Sequence, residues 1–145
     1  MNDRESIRPF KKRIVILEPY DNLRESLKLI LGDDYSLLFA NSFDEALSEI
    51  EYQKTELFIL DVQDEETGLK RIEETKRRFP DLTILITSIN PNWPFKEKAL
   101  KAIKTGRLRF QDKPYEAKEL KDRVDLIING DSGRHIHILK VPRAS

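Results

Sequence analysis

The chain has 145 residues, a length that suits one domain with a hydrophobic core. It carries no cysteine, which excludes a disulfide framework, a thiol nucleophile and a cysteine-rich zinc site. The formal net charge is zero with 36% charged residues, so charge alone gives no argument for a nucleic-acid or membrane partner. No apolar stretch nears the roughly 18 residues of a membrane span, and residues 1–8 are polar, without a signal-peptide core. A cytoplasmic protein that binds neither membrane nor nucleic acid is the expectation.

Residues 1–11 read as a polar lead-in. Arg13 to Glu18 holds Ile14-Val15-Ile16-Leu17, a short buried strand ending in an acid. Asp21 is a candidate cap for a helix with Leu23, Leu27, Ile30 and Leu31 at helical spacing and Gly32 as its stop. Tyr35 to Ala40 reads as a second strand. Ser42-Phe43-Asp44-Glu45 has the form of a capping box, opening a helix with Ala46, Leu47 and Ile50 inward. Leu57 to Asp61 is a third strand, four bulky apolar residues closed by a carboxylate. A helix is predicted from about Gly68 to Phe79, burying Leu69 and Ile72 and ended by Pro80. Thr83 to Ser88 is a fourth strand. A loop with Pro91, Trp93, Pro94 and Phe95 leads to a helix over 96–105, with Gly106 at its C-cap. Leu108 to Gln111 is a fifth strand, and Glu116 to Asn129 a last helix with Leu120, Val124, Ile127 and Ile128 inward.

Five strands alternating with five helices imply right-handed crossovers and a parallel sheet covered on both faces. The domain spans 12–130. Residues 131–145 are either a tail or an extra edge strand, because His135-Ile136-His137-Ile138 alternates polar and apolar. The two histidines have no further ligands nearby in sequence and are read as tail residues.

In such a sheet, ligands sit beyond the C-terminal ends of the strands. Those ends carry Glu18, Asp61, Thr87 with Ser88, and Lys113 just past the fifth strand. Carboxylate and backbone oxygens suit Mg²⁺. A lysine can neutralise a transferring phosphoryl group, a hydroxyl can donate to its oxygens, and a carboxylate can be its nucleophile.

On these residues the chain resembles the receiver domain of two-component response regulators, over about Lys12 to Asn129. Glu18 falls on the first acid of that family's acidic pair, and Asn22-Leu23-Arg24 resembles the start of its first helix. Asp61 falls on the phospho-acceptor, Thr87 on the switch hydroxyl and Ser88 on its small neighbour. Phe110 falls on the switch aromatic and Lys113-Pro114 on a Lys-Pro pair joined by a cis peptide. The resemblance implies a (βα)5 flavodoxin-like three-layer sandwich, its parallel five-stranded sheet ordered 2-1-3-4-5. It implies phosphoryl transfer to Asp61 from a histidine kinase or phosphotransfer protein, with Lys113 and Thr87 gripping the phosphoryl oxygens. Mg²⁺ would be held by Asp61, the backbone carbonyl of Gln63 and, through water, Glu18. Thr87 and Phe110 would then bias an output-protein or homodimer surface over 96–129. That segment is rich in cations, with Lys96, Lys98, Lys101, Lys104, Arg107 and Arg109 against Glu97. Output is expected through protein contact or through a region absent from this chain.

Two departures from the family pattern bear on function. The second acid, usually a direct metal ligand, is replaced by Pro19, which has no side-chain donor or acceptor and weakens the expected Mg²⁺ site. The proline usual four residues after the phospho-acceptor is Glu65, and the loop to Gly68 is one residue short. Asp21, Asp64 and Glu65 are the candidate substitute carboxylates.

Structural readings stand beside each of these. Glu18 alone suits a solvated acid, Thr87 and Ser88 suit any strand, Lys113 could pair with Asp61 without phosphate, and Phe110 suits a core. Three functions follow. The first is a non-enzymatic phospho-acceptor receiver, the second a phosphorylation-independent interaction module. The third is a small Mg²⁺-dependent phosphoryl-transfer enzyme, for which the chain is short.

Overall fold

The computed structural model describes residues 10–89 and 107–130. In chain order the elements are β1 (Lys12–Leu17), α1 (Asp21–Leu31), β2 (Tyr35–Phe39), α2 (Phe43–Tyr52) and β3 (Leu57–Asp61). They continue with α3 (Glu65–Arg78), β4 (Thr83–Ser88), β5 (Leu108–Asp112) and α4 (Ala117–Asn129). The five strands form one sheet in the order β2-β1-β3-β4-β5, every pairing parallel. The flavodoxin-like order read from the sequence is the order observed. The helix expected over 96–105, its Pro-rich approach with Trp93 and Phe95, and the His135–Ile138 segment lie outside the described residues.

Strand alternation divides the core between the two faces. Val15, Phe58, Leu60, Ile84 and Ile86 point to the side covered by α2 and α3, where Leu47, Ile50 and Ile72 meet them. Ile14, Ile16, Leu57, Ile59 and Leu85 point to the other side, against Leu27 and Leu31 of α1 and Leu120, Val124 and Ile128 of α4. All five residues of β3 are buried, as expected for a central strand of a doubly covered sheet. Each fully buried Leu, Ile or Phe here contributes roughly 1.5–3 kcal/mol, which is why four-residue apolar runs suffice as strands.

Helix starts are where the structure departs most from the sequence reading. α3 begins at Glu65, three residues before the predicted start, because Asp64 is its N-cap and accepts from Thr67 N–H at 2.8 Å. The acids Glu65 and Glu66 then occupy the first turn, where the helix dipole favours them. Asp21 does not cap α1; it is the first helical residue, and Tyr20 precedes it with no side-chain cap. Ser42 caps α2 as expected, accepting from Glu45 N–H at 3.0 Å. The reciprocal arm differs, since the Glu45 carboxylate accepts from Asn41 N–H at 2.8 Å.

Candidate functional site

The register of the sheet places the site. Asp61 ends β3 directly beside Thr87 of β4, and Thr87 lies beside Gln111 of β5. Backbone bonds fasten the strand ends together, Val62 N–H to Thr87 C=O and Lys113 N–H to Ser88 C=O, both 2.9 Å. Lys113 therefore emerges at the same rim as Asp61, and the Lys113–Pro114 peptide is cis.

The side chains predicted to converge do so. Lys113 Nζ lies 2.6 Å from Asp61 Oδ1 and 2.8 Å from Glu18 Oε1. All three side chains are at most 4% exposed. Thr87 Oγ1 donates toward the same Asp61 oxygen at 3.5 Å, the long end of a hydrogen bond. Ser88 is also buried. Phe110 is half-buried against the core cluster on the α2–α3 face. Two carboxylates and one ammonium leave this buried group with one excess negative charge.

Two tyrosines complete the surroundings. The Tyr20 ring lies 5.6 Å from Lys113 Nζ, and its hydroxyl accepts from the Gln63 side-chain amide at 3.4 Å. The Tyr115 hydroxyl is pushed up to about 12 by burial, with the negative charges of Glu18 and Asp61 adding to the effect.

A cavity of about 500 Å³ opens beside Asp61. Its walls are the ends of β1, β2 and β3 together with Arg24 of α1 and Thr67, Gly68 and Arg71 of α3. Neither Thr87 nor Lys113 lines it, so Asp61 has the lysine and hydroxyl on one side and this open space on the other.

Comparison with solved structures finds the same architecture repeatedly. A response regulator from Thermotoga maritima is 22% identical, covering 82% of this chain and 98% of that one with a TM-score of 0.70. The chemotaxis protein CheY4 of Vibrio cholerae is 18% identical, covering 81% and 98% at 0.69. A CheY-like receiver domain from Methanospirillum hungatei is 19% identical, covering 84% and 97% at 0.71. The chain has the receiver fold. Sequence comparison gives no match, either to a family model or to a curated protein.

Within the receiver fold the departure at Pro19 has a structural consequence. Magnesium requires hard oxygen donors in near-octahedral array. Pro19 lines the cavity and has no side-chain oxygen to offer. Glu18 has one oxygen on Lys113, and its other accepts from Tyr20 N–H at 3.2 Å. Asp61 has one oxygen on Lys113, and Gln63 stands at the cavity wall. Asp64, a candidate substitute, lines the cavity but is engaged as the α3 cap. Asp21 and Glu65, the other candidates, are not among the lining residues. Among the described residues no group of three or more His, Cys, Asp or Glu side chains is arranged to hold a metal ion. This donor set does not fit a resident Mg²⁺ ion.

No sequence motif marks Arg71, and Arg24 enters only as part of the Asn22-Leu23-Arg24 resemblance. Arg71 follows Thr67 by four residues and Gly68 by three, so helical spacing places all three on one wall. The Gly68–Arg71 spacing is legible in the sequence, but nothing there shows that this helix face borders the cavity. Tyr20 and Tyr115 flank recognised positions but match no motif.

Proposed function

We propose that this chain is a signalling receiver whose Asp61 accepts a phosphoryl group from phosphohistidine of a histidine kinase or phosphotransfer protein. The observation that carries the reading is the buried Lys113–Asp61 pair at 2.6 Å with the Thr87 hydroxyl beside it, bordering an open cavity. The carboxylate oxygen of Asp61 not held by Lys113 attacks phosphorus. The P–N bond breaks, its electron pair leaves with the imidazole, which takes a proton, and a P–O bond to Asp61 forms. Lys113 and the Thr87 hydroxyl then face the new phosphoryl oxygens. Drawing Thr87 in from its 3.5 Å position vacates space beside β5, where half-buried Phe110 can follow. The output is contact of a protein partner, or a second copy, with the face that includes β5 and α4.

One observation favours a second reading, a contact module that works without phosphorylation. Glu18, Lys113 and Asp61 already satisfy one another, and Pro19 removes a metal ligand. Incubation with a small acyl phosphate, followed by intact mass measurement, separates the two. A phosphate-sized gain that disappears in Asp61→Asn supports the acceptor reading. No gain with the fold intact, with or without Mg²⁺, leaves the contact module. Sustained turnover of free phosphate esters would instead mark a phosphoryl-transfer enzyme. Among the described residues no helix is long and apolar enough to cross a membrane.

A further inference from the structure

We propose that the cavity beside Asp61 is a cation-free oxyanion site, in which Arg24 and Arg71 hold phosphoryl oxygens where a divalent ion would otherwise stand. The proposal deepens the phospho-acceptor reading and rests on it for the identity of the oxyanion.

Arg24 and Arg71 reach the cavity from opposite walls, one from α1 and one from α3. Each guanidinium is laid against an aromatic ring, Arg24 at 5.4 Å from the centroid of Phe39 and Arg71 at 5.2 Å from that of Phe43. Both side chains are half-buried, and neither forms an ion pair among the described residues. Elsewhere the described surface pairs its arginines readily, as with Arg77 to Glu74 and Arg78 to Glu51, each at 2.7 Å. A ring face orients the planar fork and leaves its N–H edge for an anion, the geometry that recognises phosphate bidentately.

The charges agree. Glu18, Asp61 and Asp64 line the cavity, and Arg24, Arg71 and the adjacent Lys113 oppose them with equal charge. An acid in place of Pro19 would tip that balance to the negative side and call for a metal ion. With proline there, the fixed guanidiniums supply the positive field from the side of Asp61 that Lys113 and Thr87 do not reach. Asn41 and Thr67 add neutral polar residues to the lining.

The test is titration of the full chain with inorganic phosphate in excess chelator, followed by NMR or calorimetry. Saturable binding is expected. Arg24→Gln or Arg71→Gln should weaken it about tenfold, the scale of one charge-assisted hydrogen bond. Asp61→Asn should tighten it, because one repelling charge leaves the cavity. Arg24→Lys and Arg71→Lys, which keep charge and packing but lose the fork, should fall between. Absence of binding in chelator, binding that requires Mg²⁺, or binding indifferent to both arginines overturns the proposal. Phosphate binding without any mass gain on Asp61 from an acyl phosphate overturns only the acceptor reading. A mass gain on Asp61 that requires Mg²⁺ overturns the cation-free site and leaves the acceptor reading standing.

Discussion

Lys113 Nζ stands 2.6 Å from Asp61 Oδ1, and the same ammonium holds Glu18 at 2.8 Å. One buried cation therefore serves two buried anions. Replacing Lys113 by Met strands both carboxylates and should cost about 3–5 kcal/mol, the scale of an uncompensated buried charge. Asp61→Asn removes the excess negative charge and leaves the Glu18–Lys113 pair, so it should cost far less or stabilise. Urea unfolding of the three proteins at neutral pH measures the difference. Equal costs for the two substitutions would show that the pairing does not govern stability here.

The metal question turns on Pro19. If the missing carboxylate is what prevents Mg²⁺ from binding, Pro19→Asp should create measurable affinity where the parent chain shows little. Calorimetric titration with Mg²⁺ reads this directly, and the gain should exceed tenfold, roughly 1.4 kcal/mol. An unchanged titration would mean that position 19 does not face the ion, contrary to its place in the cavity wall.

Lys76 offers a pH-dependent prediction away from the site. Its side chain is buried, and Nζ donates to the Leu82 carbonyl, tying the end of α3 to the approach of β4. Burial, helped by the positive charge of Arg107 and opposed by Asp81, lowers its pKa to about 8. The unfolded chain holds this proton up to about 10.5, so between about 8 and 10.5 it binds more protons than the folded chain. Stability contributed through Lys76 therefore rises with pH across that window. Below it, the buried charge carries its full desolvation cost. The stability difference between the parent chain and Lys76→Met should shift by about 1–3 kcal/mol from pH 7.5 to 10.5, in favour of the parent. A difference flat in pH would place the ammonium in contact with water.

The sequence made the strands legible and the helix starts less so. Four-residue runs such as Leu57-Phe58-Ile59-Leu60 can be buried only at the centre of a covered sheet, which set β3 and, with it, Asp61. β3 and β4 have the bounds expected, because their ends coincide with the change from apolar to polar residues. The start of α3 is less legible because Asp64 and Glu65 suit a metal-site loop as well as a helix start; in the structure Asp64 caps the helix and Glu65 and Glu66 charge its first turn. The meeting of Glu18, Asp61, Thr87 and Lys113 was foreseeable because strand ends in a parallel sheet share a rim. The arginine wall was not, since its members lie on two helices far apart in sequence. α3 itself starts at Glu65.

That start also fixes a close contact which gives the last prediction. Gly68, buried in the first turns of α3, faces Val62 just past the end of β3. A Cβ built on Gly68 would run into Val62 Cγ1, so a side chain there needs Val62 to shift. Val62 is β-branched, 4% exposed and fastened by its N–H to Thr87, so it cannot simply turn away. Gly68→Ala should therefore destabilise by about 1–3 kcal/mol through overpacking, despite alanine's better helix propensity. In a Val62→Ala background the space is open, and the same Gly68→Ala change should become stabilising by up to about 1 kcal/mol. Thermal or urea unfolding of the four-member cycle decides it. A change of the same sign in both backgrounds would mean that α3 does not press on the end of β3, and that Asp61 is positioned without this contact.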